Sequence, residues 1–227
     1  MFKQKMYEVV ANTGVAVLSK IFPEQFACDG VKPSDRYIEY NFTLKNLPKP
    51  PVNILDVGCV SSFFPLILAG FGYQVTGLDM RKYQITEALA FPNFKFIQHN
   101  IVEKLLPKVF DCVTAISTIE HIGIHGRYGA KKDDFADFNA IRNIRECLKD
   151  NGTLILTIPV GKYKVVAPYQ RIYGWQRINK MTFGFKLEEE RYYIEKHYWR
   201  ECDRIEAFSV ESSKTKYALG LYKFIKI

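Results

Sequence analysis

The chain has 227 residues, of which 48% are hydrophobic and 15% aromatic. That supports one sizeable core and excludes a wholly disordered chain. The formal net charge of +8 favours an anionic partner, whether nucleic acid, a phosphorylated metabolite or an acidic lipid surface.

Five cysteines are scattered (Cys28, Cys59, Cys112, Cys147, Cys202), and no C-x-x-C pair occurs. Neither a zinc site nor a disulfide framework is expected, and no metal is assigned. Reduced thiols fit a cytoplasmic protein. Glu8 and Asn12 break the apolar part of residues 1–22, so that stretch does not read as a signal peptide. No apolar run reaches the ~18 residues of a membrane span.

In chain order, residues 3–21 read as an amphipathic helix and 22–33 as loop. Ser34 can cap a second helix over 35–46. These lead-in helices, within residues 1–50, are expected to lid a cleft, with Arg36, Tyr37, Glu39 and Tyr40 facing it. Ile54, Leu55 and Val57 form an apolar run ending at Gly58, as in a strand buried on both faces. Gly58 permits backbone angles closed to other residues. Ser61 or Ser62 can cap the next helix, and Pro65 fits its first turn.

Val75 to Leu78 form a second strand that stops at Asp79, 23 residues after Asp56. A helix follows over 82–90, then strands at 94–98 and 110–117. Asp133 or Asp134 caps a helix over 135–149 whose Phe138, Ile141, Ile144 and Leu148 should face the sheet. Asn151-Gly152 stops it, and 153–158 form a fifth strand. Residues 183–227 read as antiparallel strands. The whole is a single domain, 1–227, with a core at 51–160. Its class is α/β: a doubly wound, mostly parallel sheet with antiparallel C-terminal strands and N-terminal helices as lid.

A strand, a turn at a helix start and an acid ending the next strand describe a nucleotide site. The dinucleotide pattern G-x-G-x-x-G is missing. Leu55-Asp56-Val57-Gly58-Cys59 instead resembles the signature of class I S-adenosylmethionine-dependent methyltransferases, with Val60 and Ser62 where that family usually has further glycines. The resemblance implies S-adenosylmethionine as cofactor. Asp56 would orient its amino-acid end, Gly58 and Cys59 would let the backbone approach, and Asp79 with Met80 would hold the ribose. Asn100 and Ile101 would meet the adenine, and Ser117 would line the cleft. Glu120 and His121 would face the transferred methyl, where His121 can take a proton from a hydroxyl near neutral pH.

Residues 161–182 are basic and aromatic. From 161 to 186 there are six cations (Lys162, Lys164, Arg171, Arg177, Lys180, Lys186) and no acid. With interleaved tyrosines, this points to an anionic acceptor. Ile119-Glu120-His121, Gly126-Arg127-Tyr128-Gly129 and Arg171-Ile172-Tyr173-Gly174 also resemble a branch of bacterial methyltransferases, some associated with surface-glycan synthesis. Arg127, Tyr128, Arg171 and Tyr173 are therefore the expected acceptor-binding residues. The expected activity is methyl transfer to an anionic small molecule or glycan precursor. An RNA methyltransferase and a non-catalytic binding protein of the same fold are the alternatives.

Overall fold

The computed structural model describes residues 35–60, 62–83, 92–103, 106–126, 128, 131–196 and 198–227. The helices expected at 3–21 and 82–90 lie outside them, apart from Lys82 and Tyr83, as do Ser34, Ser61 and Arg127.

The chain forms α1 (Asp35–Asn46), β1 (Asn53–Val57), α2 (Phe64–Gly70), β2 (Gln74–Asp79), β3 (Phe94–Gln98) and β4 (Phe110–Ile116). After a short 3-10 turn at Ile119–His121 come α3 (Ala136–Cys147), β5 (Leu148–Val160) and a hairpin of β6 (Lys164–Val166) and β7 (Gln170–Ile172). The remainder is α4 (Trp175–Met181), β8 (Phe185–Glu195), β9 (Trp199–Cys202), α5 (Arg204–Ser209) and β10 (Ala218–Lys226).

One sheet has the order β3-β2-β1-β4-β5-β10-β8-β9. Its first five strands are mutually parallel. β10 then inserts antiparallel between β5 and β8. The expected doubly wound, mostly parallel sheet with antiparallel C-terminal strands is therefore present.

β1 shows why the sheet is a two-sided core. Ile54, Leu55, Asp56 and Val57 are all buried. Leu55 and Val57 pack with α3's Ile141 and Ile144 on one face. Ile54 packs with α2's Phe64 and Leu68 and α1's Phe42 on the other. Successive side chains of a strand point to opposite faces, so one apolar run feeds both layers. Each fully buried aliphatic side chain there contributes roughly 1.5–3 kcal/mol relative to exposure.

Two helix starts differ from expectation. α2 begins after Phe63 without a side-chain cap, although Ser62 Oγ accepts the Phe64 N–H at 3.0 Å. α3 begins after Phe135, whose N–H bonds Asp133 Oδ1 at 2.8 Å. Asn151-Gly152 lies inside β5 rather than ending α3. Asn151 sits at φ 59°, where the β4–β5 register shifts. No helix among the described residues is long and apolar enough to cross a membrane.

Candidate active site

A cavity of about 530 Å³ opens at the carboxyl ends of β1, β2 and β4, beneath α1. That is within the roughly 300–1,000 Å³ of small-ligand sites, and it is where open α/β sheets bind ligands. Asp56, Gly58, Asp79, Met80, Asn100, Ile101, Ser117, His121 and Tyr128 all line it. Cys59 does not. Its side chain is buried against Gly77, and burial pushes its thiol up.

Gly58 is required twice over. It has φ +81°, and a Cβ there would fall 2.2 Å from Thr118 Oγ1. Its N–H reaches the Leu78 carbonyl at 2.7 Å, tying the turn to β2. Val60 needs no such freedom. Positive φ among described non-glycine residues is confined to Ser117, Tyr128 and Asn151. Val60 thus turns in ordinary angles and aims its N–H at Asp79 Oδ2, 3.1 Å away.

The two acids differ in setting. Asp56 is 4% exposed and accepts from Thr114 Oγ1 at 2.7 Å. Burial outweighs that hydrogen bond and pushes its carboxyl up to about 7. Asp79 is also buried, but its oxygens are filled. Oδ1 accepts from Arg81 N (2.9 Å) and Nε (3.1 Å), and Oδ2 from Arg81 Nη2 (3.0 Å) and Val60 N. Arg81 also donates to the Val60 carbonyl and lies 4.2 Å from the Tyr128 ring centroid. Asn100 turns the chain locally: Oδ1 accepts from Val102 N at 3.1 Å and Nδ2 donates to Glu103 at 2.9 Å.

α1 roofs the cavity through a buried acid. Glu39 is 0% exposed and accepts from Ser117 Oγ (2.5 Å), Thr157 Oγ1 (2.6 Å) and Arg36 (2.8 Å). Burial raises its carboxyl despite those three donors. Tyr40 shares a 3.0 Å hydrogen bond with Ser62 and stacks on Phe64. Of the residues expected to face the cleft from this helix, Arg36 and Tyr40 line the cavity, Glu39 anchors the roof and Tyr37 is exposed.

His121 stands where this cavity meets a second hollow of about 140 Å³, which Glu120 also lines. His121 Nδ1 is 2.8 Å from the Tyr169 carbonyl. A carbonyl only accepts, so Nδ1 carries the proton and the neutral ring keeps its lone pair on Nε2. Glu120 Oε1 lies 3.7 Å from Nε2, placed to balance an imidazolium. The arrangement can accept a proton and stabilise the resulting charge.

Arg171 and Tyr173 are placed differently from the sequence reading. Both are buried and neither lines either hollow. Arg171 Nη1 donates to the Ile122 carbonyl at 3.1 Å and lies 3.3 Å from Asp137. Tyr173 OH donates to Ile119 O and Asp137 Oδ2, both at 3.2 Å. These two residues hold the Glu120-His121 turn against α3. Arg177 also closes on Asp137, at 2.8 and 2.9 Å, and Lys162 pairs with Glu211. Half of the six cations thus pair with acids of this chain. Thr114, Thr118, Arg81 and Asp137 carry no signature that sequence reading could single out.

A family model described as "Caenorhabditis protein of unknown function, DUF268" matches residues 91–219. A ubiquinone biosynthesis O-methyltransferase from Rickettsia akari is 28% identical over 154 residues, covering 63% of this chain and 55% of the relative. The match thus spans about half the length of that curated relative. Among solved structures, the N-methyltransferase NodS from Bradyrhizobium japonicum, in complex with S-adenosyl-L-homocysteine, aligns with a TM-score of 0.59 at 15% identity. That alignment covers 86% of this chain and 89% of NodS. A SAM-dependent methyltransferase from Methanosarcina mazei aligns at 0.59 and 16% identity, over 82% of this chain and 96% of that one. The fold is that of the class I S-adenosylmethionine-dependent methyltransferases.

Proposed function

The chain belongs to the DUF268 family, and we propose that this member is an S-adenosylmethionine-dependent methyltransferase acting on a hydroxyl of a small-molecule acceptor. Gly58's close-packed turn and the buried acids ending β1 and β2 fit an adenosyl amino acid. Asp56 would hold its ammonium end, Asp79 its ribose, and Asn100 with Ile101 its adenine. When bound, the cofactor supplies a methyl group on a sulfonium, already activated for transfer. The chain's remaining task is positioning and proton removal.

His121 carries the choice of a hydroxyl. Tyr169 fixes its tautomer with the lone pair on Nε2, on the wall common to both hollows. As the acceptor oxygen takes the methyl, its proton passes to Nε2, and Glu120 offsets the new charge. The Rickettsia relative is named an O-methyltransferase, which agrees in acceptor atom. Incubation with S-adenosylmethionine labelled at the methyl, plus a metabolite extract, should label a hydroxyl-bearing small molecule. His121→Ala should slow labelling roughly 100-fold or more. Equal labelling by both proteins would remove His121 as base.

A further inference from the structure

Beside His121, the β6–β7 hairpin meets the loop that leads into β10. Lys162 N donates to the Val210 carbonyl at 3.0 Å, and a Cβ on Gly161 would fall 2.6 Å from Ser212 Oγ. The loop then doubles back, with Ser213 N donating to the Lys216 carbonyl at 2.9 Å. Lys214 Nζ sits 3.7 Å from the Tyr169 ring centroid. Tyr169 therefore meets this loop with its ring and His121 with its carbonyl.

Charge is one-sided there. Residues 161–173 and 209–217 hold Lys162, Lys164, Arg171, Lys214 and Lys216 against a single acid, Glu211. Arg171 is buried against Asp137 and takes no part. Glu211 pairs with Lys162, and nearby Lys216 and Lys164 also help to hold its carboxyl below the usual range. Lys164, Lys214 and Lys216 are exposed, and none forms an ion pair with an acid of the described residues. Like charges gathered on one rim repel, and an anion among them relieves the repulsion. Lysine is a point charge with rotatable donors. Several of them suit the oxygens of a phosphoryl group, whereas the flat fork of a carboxylate is matched by arginine.

We infer that this lysine cluster is a phosphoryl-binding site, which anchors a phosphorylated acceptor while the acceptor's hydroxyl reaches His121. The inference rests on the methyl-transfer reading. Lys214 and Lys216 join the hairpin's lysines only in the fold, since they lie far along the chain. The cluster is compact, drawn from 162–164 and 214–216, so it fits a phosphate or diphosphate rather than the long track of a nucleic-acid strand. Tyr169 links the two halves of the task, packing under the anchor's Lys214 and orienting the base.

Calorimetric titration of the full chain, saturated with S-adenosylhomocysteine, with inorganic pyrophosphate at low salt tests this. Pyrophosphate should bind at one site, more weakly as salt is raised. Lys214→Gln, and Lys164→Gln combined with Lys216→Gln, should each weaken it at least about tenfold. Lys214→Arg should keep the affinity, and so should Lys180→Gln, which removes a charge on α4 outside the cluster. In the methyl-labelling reaction, phosphatase treatment of the metabolite extract should remove the labelled product. No pyrophosphate binding by the folded chain, equal weakening by Lys180→Gln, tighter binding of oligouridylate than of pyrophosphate, or undiminished labelling of the treated extract overturns the inference. A chain that binds pyrophosphate through these lysines but binds no S-adenosylhomocysteine would instead overturn the methyl-transfer reading and leave the phosphoryl site standing.

Discussion

Arg81 grips Asp79 through three N–H groups, two on Oδ1 and one on Oδ2. With Val60 N as the fourth donor, the roughly four lone-pair sites of the carboxylate are filled. Ribose hydroxyls reach Asp79 only by displacing donors, and the Arg81 side chain is the movable one. Arg81→Ala should therefore tighten S-adenosylhomocysteine binding by roughly tenfold, about 1.4 kcal/mol. Calorimetry giving equal or weaker affinity would show that Arg81 does not compete for the acid.

With Asp56 holding the cofactor's ammonium, as proposed, cofactor affinity should depend on pH. Its carboxyl is raised to about 7 by burial, and only the ionised form pairs with the cofactor's ammonium. Affinity should fall as pH drops below about 7, by at most about tenfold per pH unit. A flat profile between about pH 5.5 and about pH 8 would detach Asp56 from the ammonium.

The same residue, together with the buried Glu39, contributes a stability trend of opposite sense. Its folded pKa lies above its unfolded value of about 4, so the native state binds more protons across that window. Stability of the ligand-free chain should therefore fall as pH rises from about 4 through about 7. Asp56→Asn should flatten that slope in urea titrations. An unchanged slope would mean another group sets it.

Asp137 is the buried hub for Arg171, Tyr173 and Arg177. Asp137→Ala strands two guanidinium groups and should destabilise the chain by roughly 3–5 kcal/mol. Chemical denaturation checks this. A loss under about 1 kcal/mol would return Arg171 and Arg177 to the roles the sequence proposed for them.

Much of the sheet was legible because its signals are local. The apolar runs at 54–57 and 75–78 lie within a few residues of their acids, Asp56 inside the first and Asp79 just after the second. The insertion of β10 between β5 and β8 was not, because strand order is fixed by long-range pairing. Arg171 and Tyr173 misled for a related reason. No acid lies between 161 and 186, but Asp137 reaches them across the fold. Arg81 went unnoticed because a lone arginine has no pattern. Only its partner Asp79 gives it meaning. Val60 read as a departure from glycine spacing, yet its turn needs no positive φ, and its backbone N–H and carbonyl are the groups used, toward Asp79 and Arg81.

Calorimetric titration of the wild-type chain with S-adenosylhomocysteine measures whether this cleft binds an adenosyl amino acid. The expected result is one site with micromolar affinity, about −8 kcal/mol, weakened by Asp79→Ala by roughly 1.5–3 kcal/mol. No binding by the folded wild-type chain, with binding appearing in Val60→Gly, would show that valine blocks the site and would contradict the account.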